Sequence, residues 1–231
     1  HYDVASIGNK GFSERVITAP FSPLGHDTHV KTRNATCMAL ATTQPISMAR
    51  NADVLRNFPE NQEQALHTIY RYAVVTDSEE GLILVDVDTL ADGEFRNNFL
   101  KRALTWNPKG VLAGARHVTV AGHIAYVTTR DGLAVVDLDA PLSPRLVATL
   151  ALPDARASAV QFRYLWVTTK DGVSLFDVTR PDRPVAAPSG AIPLADARRL
   201  YIARTYLYVA AKDEGLAIVN VTNPLRPALY R

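Results

Sequence analysis

Tyr126-Val-Thr-Thr-Arg-Asp131-Gly132-Leu-Ala-Val-Val-Asp137-Leu138 decides the fold class. It opens on an aromatic, β-branched-rich run, the composition of a strand. Asp-Gly follows, the strongest short hairpin signal, because glycine accepts the positive φ of such a turn. A second apolar run then ends on aspartate and a β-branched or leucine residue. The same grammar returns in Tyr72-Ala-Val-Val-Thr-Asp77 with Gly81-Leu-Ile-Leu-Val-Asp86, in Trp166-Val-Thr-Thr-Lys-Asp171-Gly172-Val-Ser-Leu-Phe-Asp177, and in Tyr208-Val-Ala-Ala-Lys-Asp213-Glu-Gly215-Leu-Ala-Ile-Val-Asn220. Successive glycines stand 51, 40 and 43 residues apart, so the unit is about 42 residues with an insertion in the first interval.

Working outward, proline pairs follow three of the four hairpins: Pro141 and Pro144, Pro181 and Pro184, Pro224 and Pro227. Proline lacks a backbone donor and belongs in loops or on sheet edges. A third strand comes next, such as Arg145-Leu-Val-Ala-Thr-Leu150. A fourth precedes the next aromatic run: Arg116-His-Val-Thr-Val120, Arg156-Ala-Ser-Ala-Val160, Arg198-Arg-Leu-Tyr-Ile202. Four short antiparallel strands per unit predict an all-β fold. It is a β-propeller, or a large arc of one, with four-stranded blades and about five to six repeats over residues 1–231. A solenoid has shorter rungs, and a sandwich does not repeat its turns so faithfully. Residues 66–231 carry the repeat clearly. Residues 1–65 read as weak or irregular blades, with Asp3 at the place of Asp86 and Cys37-Met-Ala-Leu-Ala-Thr-Thr43 resembling the aromatic strand. The chain starts and ends mid-strand. The expectation is therefore a ring completed by missing sequence or by another chain.

Composition excludes several classes. Of 231 residues, 47% are hydrophobic and 21% charged, which is ordinary globular usage. A net charge of +2 is too balanced to argue for nucleic acid, and no apolar run is long enough for membrane insertion. The single cysteine, Cys37, forms no disulfide within the chain and no CxxCH haem site, and its apolar strand makes a buried inert thiol the default reading.

The segments Leu82-Ile-Leu-Val-Asp86, Leu133-Ala-Val-Val-Asp137, Val173-Ser-Leu-Phe-Asp177 and Leu216-Ala-Ile-Val-Asn220, with Asp-Val-Thr-Arg-Pro181 and Asn-Val-Thr-Asn-Pro224 behind two of them, resemble the bacterial and archaeal LVIVD repeat. The resemblance implies a propeller-type fold. It implies no activity, because such proteins are mostly uncharacterised. It does imply an extracytoplasmic setting, periplasmic, cell-surface or secreted, within larger polypeptides.

Four sets of residues invite a chemical reading. Arg116, Arg156 and Arg198 each lie ten residues before an aromatic anchor, and Gln62 takes that offset before Tyr72. If that strand is innermost, three arginines ring one channel mouth. They then form a site for an anion or acidic partner, or they stitch adjacent blades to aspartates and carbonyls. Asp86, Asp137 and Asp177 recur at one repeat position, as turn hydrogen-bonders do, so no catalytic residue is assigned. His26 and His29 form the only histidine cluster and could share a metal, with His67 as a helper. His117 and His123 flank a strand turn. Finally, two stretches break the repeat, residues 44–66 and 88–112. In the second, Phe95, Phe99 and Trp106 either dock a partner or cap a blade edge.

The expected role is a non-catalytic scaffold or recognition module, part of a larger extracytoplasmic protein or assembly and bound to a protein partner. No resident cofactor is expected. The alternative is a propeller whose metal or anion site supports an enzymatic or redox-partner role, with metal or haem held by a partner chain.

Overall fold

The computed structural model describes residues 29–43, 67–88 and 100–230, with residues 52, 56, 57, 59 and 60. They form four antiparallel sheets, each a meander of consecutive strands. Blade I contains β1 (Ala35–Leu40), β2 (Tyr72–Asp77), β3 (Gly81–Asp86) and β4 (Lys101–Trp106). Blade II contains β5 (His117–Ala121), β6 (Ile124–Thr128), β7 (Gly132–Asp137) and β8 (Arg145–Ala151). Blade III contains β9 (Ser158–Gln161), β10 (Tyr164–Thr169), β11 (Gly172–Asp177) and an outer edge split into β12 (Val185–Ala186) and β13 (Ile192–Pro193). Blade IV contains β14 (Arg199–Ala203), β15 (Tyr206–Ala210), β16 (Leu216–Asn220) and β17 (Ala228–Leu229).

The strands β1, β5, β9 and β14 lie side by side, so they are the inner strands of a propeller arc. All four lead their sheets in chain order. They therefore run the same way, and the residues just before them gather at one end of the arc. The expected propeller architecture is present, with the arginine-headed strand innermost.

Packing between blades follows the period of two along each strand. The forward face of blade II, with Tyr126, Leu133 and Val135, packs on Leu165, Val167, Phe176 and Val178 of blade III. The forward face of blade III, with Trp166, Val173 and Leu175, packs on Leu207, Val209, Val219 and Val221 of blade IV. Blade I meets blade II through Val74, Leu82 and Leu84 against Val118, Val127 and Val136. Removing these apolar surfaces from water is the main stabilising term, about 25 cal/mol per Å². The tyrosine hydroxyl of Tyr126 also donates to the Pro181 carbonyl at 2.9 Å, so the proline loop of blade III is tied to the core of blade II.

Four details differ from the sequence expectation. First, Cys37 lies in the innermost strand β1, half-buried, and not in an aromatic second strand. Second, β2 pairs with β1 in the register Cys37↔Thr76, which makes Val74 and not Tyr72 the counterpart of Tyr126. The cause is that Asp77 pairs with Gly81 as Thr129 does with Gly132, so it closes its strand and is not the counterpart of the loop residue Asp131, two places on. Third, β4 completes blade I, so the second stretch that breaks the repeat ends before Lys101 rather than at residue 112. Fourth, Gly132 is the first residue of β7, and the loop residues are Arg130 and Asp131. A Cβ on Gly132 would run into the Leu150 carbonyl, so close approach of the outer strand explains this glycine. Gly172 faces Ile192 in the same way and also has φ +132°.

Candidate functional site: the arginine mouth

Each inner strand is entered through a short turn, and the turn sequence repeats as Leu152-Pro-Asp154-Ala-Arg156 and Leu194-Ala-Asp196-Ala-Arg198. Asp154 and Asp196 have φ of 61° and 54°, a left-handed conformation that aspartate tolerates better than most residues. The turns are pinned by backbone bonds from Asp154 N to Arg130 O and from Asp196 N to Lys170 O, both 2.8 Å. The following arginine pairs with the strand beside it: Arg116 N to Thr128 O, Arg156 N to Thr168 O and Arg198 N to Ala210 O, at 2.8 to 2.9 Å.

The side chains then alternate in charge along the mouth. Arg116 Nη1 donates to Asp154 Oδ1 of blade III at 2.5 Å and to the Ala155 carbonyl at 3.4 Å. Arg156 Nε returns to Asp154 Oδ2 at 2.8 Å. Its Nη1 reaches forward to Asp196 of blade IV and to the Ala197 carbonyl, the latter at 3.1 Å. Arg198 bonds Asp196 through Nε and Nη2 at 3.1 and 2.8 Å. In blade I the arginine place is held by Thr36, whose Oγ1 donates to the Ala115 carbonyl at 3.1 Å. The aspartate place facing it is Gly114. Gln62, placed there by sequence offset, lies outside the described residues.

Burial pushes the Asp154 carboxyl up, but hydrogen bonds from Arg116 and Arg156 outweigh it and hold the group below its ordinary value. Asp196 is held low by hydrogen bonds from Arg156 and Arg198. The inner threonines add a second set of clasps. Thr128 Oγ1 donates to the Arg156 carbonyl and Thr168 Oγ1 to the Arg198 carbonyl, both at 3.0 Å. On the residue after Arg116, at the head of β5, His117 Nδ1 accepts from Ser158 N at 3.3 Å. Burial, with a smaller contribution from the Arg199 charge, lowers its pKa to about 4.

The other candidates are dispersed. Asp86, Asp137 and Asp177 each accept from the backbone N–H two residues on, at 2.8 to 3.0 Å, which makes them turn formers as expected. His67 is buried and caps the 3₁₀ turn Thr68–Arg71, its Nδ1 accepting from Ile69 N at 2.9 Å. Its Nε2 stands 3.4 Å from Asp139, and its ring stacks on His123 at 6.3 Å. His26, Phe95 and Phe99 lie outside the described residues, and His29 sits just before β1. Among the described residues no three His, Cys, Asp or Glu side chains gather as metal ligands. Trp106 ends the outer strand β4 opposite Leu82 and packs half-buried on the core between blades I and II. Among the described residues no helix is long and apolar enough to cross a membrane.

Two features escaped the sequence reading. Asp154 and Asp196 were legible in the Leu-x-Asp-Ala-Arg repeat. Arg199 carries no repeat signal, because its counterparts are His117 and Ala157.

Residues 114–151 and 195–231 match the LVIVD repeat. Each match begins in the turn before an inner strand and spans one blade, II or IV, so the sequence unit and the structural unit coincide. No curated protein sequence matches the chain. Among solved structures, the computationally designed Ika8 protein is 13% identical with a TM-score of 0.50, over 70% of this chain and 45% of that one. The computationally designed Ika4 protein is 10% identical with a TM-score of 0.50, over 87% of this chain and 97% of that one. A chain of a nidogen/laminin complex is 13% identical with a TM-score of 0.48, over 69% and 59%. The chain thus spans under half the length of Ika8, and likeness at this identity concerns fold alone.

Proposed function

We propose that the chain is a non-catalytic recognition module of a larger extracytoplasmic assembly, and that it works by docking a further blade of the same repeat type carried by a partner polypeptide. The observation that carries this reading is the bare forward face of blade IV. Leu133 and Val173 are 1% and 2% exposed, whereas Leu216 at the same repeat position is 64% exposed. Tyr201 and Tyr230 are also exposed, and Tyr208 is only half-buried where Tyr126 and Trp166 are buried. An apolar sheet face of this kind marks an interaction surface.

The chemistry of the occupant follows from the joints already described. Arg116 and Arg156 each reach forward to an aspartate and an alanine carbonyl of the next blade. Arg198 stands at the same place on blade IV with its guanidinium turned back on Asp196 alone. The fitting partner offers a Val/Leu-rich sheet face and a Leu-x-Asp-Ala turn to accept Arg198. Among the described residues, the repeat aspartates form turns and His67 caps one.

Native mass spectrometry of the protein isolated from its source tests this reading. The expected species is larger than the chain, releases it on denaturation, and no longer forms with Leu216→Asp. A lone chain that carries stoichiometric metal would overturn the reading.

A further inference from the structure

Arg199 differs from the other guanidinium groups of the mouth. Arg116, Arg156 and Arg198 share two carboxylates, those of Asp154 and Asp196. Arg199 opens β14, is exposed, and makes no ion pair among the described residues. It lines a cavity of about 540 Å³ together with Thr36, Arg116, Asp154, Arg156 and Arg198. Four guanidinium groups line this concavity with one carboxylate, Asp154; counting also Asp196, which Arg156 and Arg198 share, two positive charges stand without a counterpart. The concavity lies at the end where the inner strands begin, and its walls are their entry turns and first residues, pinned by the backbone bonds described above.

We propose that this mouth binds a small oxyanion carrying at least two negative charges, of the phosphate or carboxylate class, with Arg199 as its anchor. A guanidinium presents a planar fork of donors matched to such an anion. Arg198 offers a second fork, since Asp196 already receives Arg156 and shares its acceptor capacity. Thr36 also lines the cavity, at the place in blade I where the other described blades carry the repeat arginine. The cavity has the volume of a small-molecule site. The forward face of blade IV is a different surface; Arg198 stands at the border of the two, whereas Arg199 belongs to the mouth alone, so Arg199 variants test the anion site apart from docking.

Isothermal titration of the full chain with inorganic pyrophosphate, and separately with citrate, tests it. Saturable one-to-one binding that weakens as sodium chloride rises is expected. The preferred probe identifies the class. Arg199→Ala should weaken binding about tenfold or more, and Arg199→Lys should restore part of it. Amide and imidazole resonances of Thr36, His117 and Arg198 should shift with the anion, and Leu216→Asp should leave all of this unchanged. Unaltered circular dichroism will show that the exposed Arg199 variants fold. Absence of saturable binding with both probes, or equal binding by Arg199→Ala and the native chain, would overturn the proposal.

Discussion

Arg156 bonds Asp154 beside it and Asp196 forty residues downstream, and so joins blade III to blade IV while holding its own turn. Two carboxylates and the Ala197 carbonyl converge on one guanidinium that is 19% exposed. Removing it leaves two part-buried carboxylates short of a donor. Arg156→Ala should therefore cost about 1–3 kcal/mol in urea unfolding, and Arg156→Lys should recover less than half, since an ammonium cannot span both partners. A cost equal to that of Arg145→Ala, whose side chain is 72% exposed, would remove the stitching role.

Acid should loosen the same joints. Asp154 and Asp196 are held below their ordinary carboxylate values when folded. Their contribution is present above the unfolded value near 4 and is lost as pH falls through the lower folded values. Urea midpoints should thus fall steeply below about pH 4, and the double variant Asp154→Asn, Asp196→Asn should show a flatter profile there.

His117 acts at a higher pH. Burial and the nearby Arg199 lower its pKa to about 4. The unfolded state then binds the proton first, so stability is complete above about 6.5 and declines as pH falls from there towards 4. The decline should reach up to about 3 kcal/mol. Proton NMR of the imidazole should show no titration above pH 5, and His117→Gln should abolish the slope between pH 6.5 and 4. A ring that titrates near 6.5 would contradict the burial.

Paired substitutions at one repeat position test the bare face. Leu133→Ala empties a buried site and should cost about 2–4 kcal/mol. Leu216→Ala at the equivalent, exposed position should change the isolated chain by less than about 0.5 kcal/mol. Equal costs would mean that the face is covered.

Glycine at the head of β7 gives a sterically clean case. Gly132→Ala should destabilise by about 2–4 kcal/mol, because its methyl group meets the Leu150 carbonyl and the outer strand must shift. Thermal unfolding of this variant beside Gly110→Ala, which meets nothing within 4 Å, separates close approach from the cost of a positive φ.

Much of this was legible from residue order. The hairpin grammar gave the blades, and the ten-residue offset of Arg116, Arg156 and Arg198 located the inner strand and its mouth. The ten-residue offset does not carry to blade I, where Thr36 and not Gln62 holds the arginine place, because residues 41–71 lie between β1 and β2 while a short turn joins the inner and second strands of the other blades. Cys37 was placed in the wrong strand because β1 and β2 are separated by residues 41–71, so pairing between them leaves no local signal. Asp154 and Asp196 were visible as a repeat but became meaningful only once adjacent blades were side by side. Arg199 had no repeat partner to betray it, and its isolation is a property of three-dimensional neighbours.

The first joint of the arc differs from the others in kind. Thr36 and Gly114 stand where the second and third joints place arginine and aspartate. At the mouth, therefore, the arc has a grain: acid and electrolyte loosen the clasps between blades II and III and between blades III and IV, and leave the Thr36 clasp between blades I and II untouched. The apolar cores hold every seam beneath those clasps. Acid thus unfastens the mouth unevenly, along two joints of three, while the cores behind it stay packed.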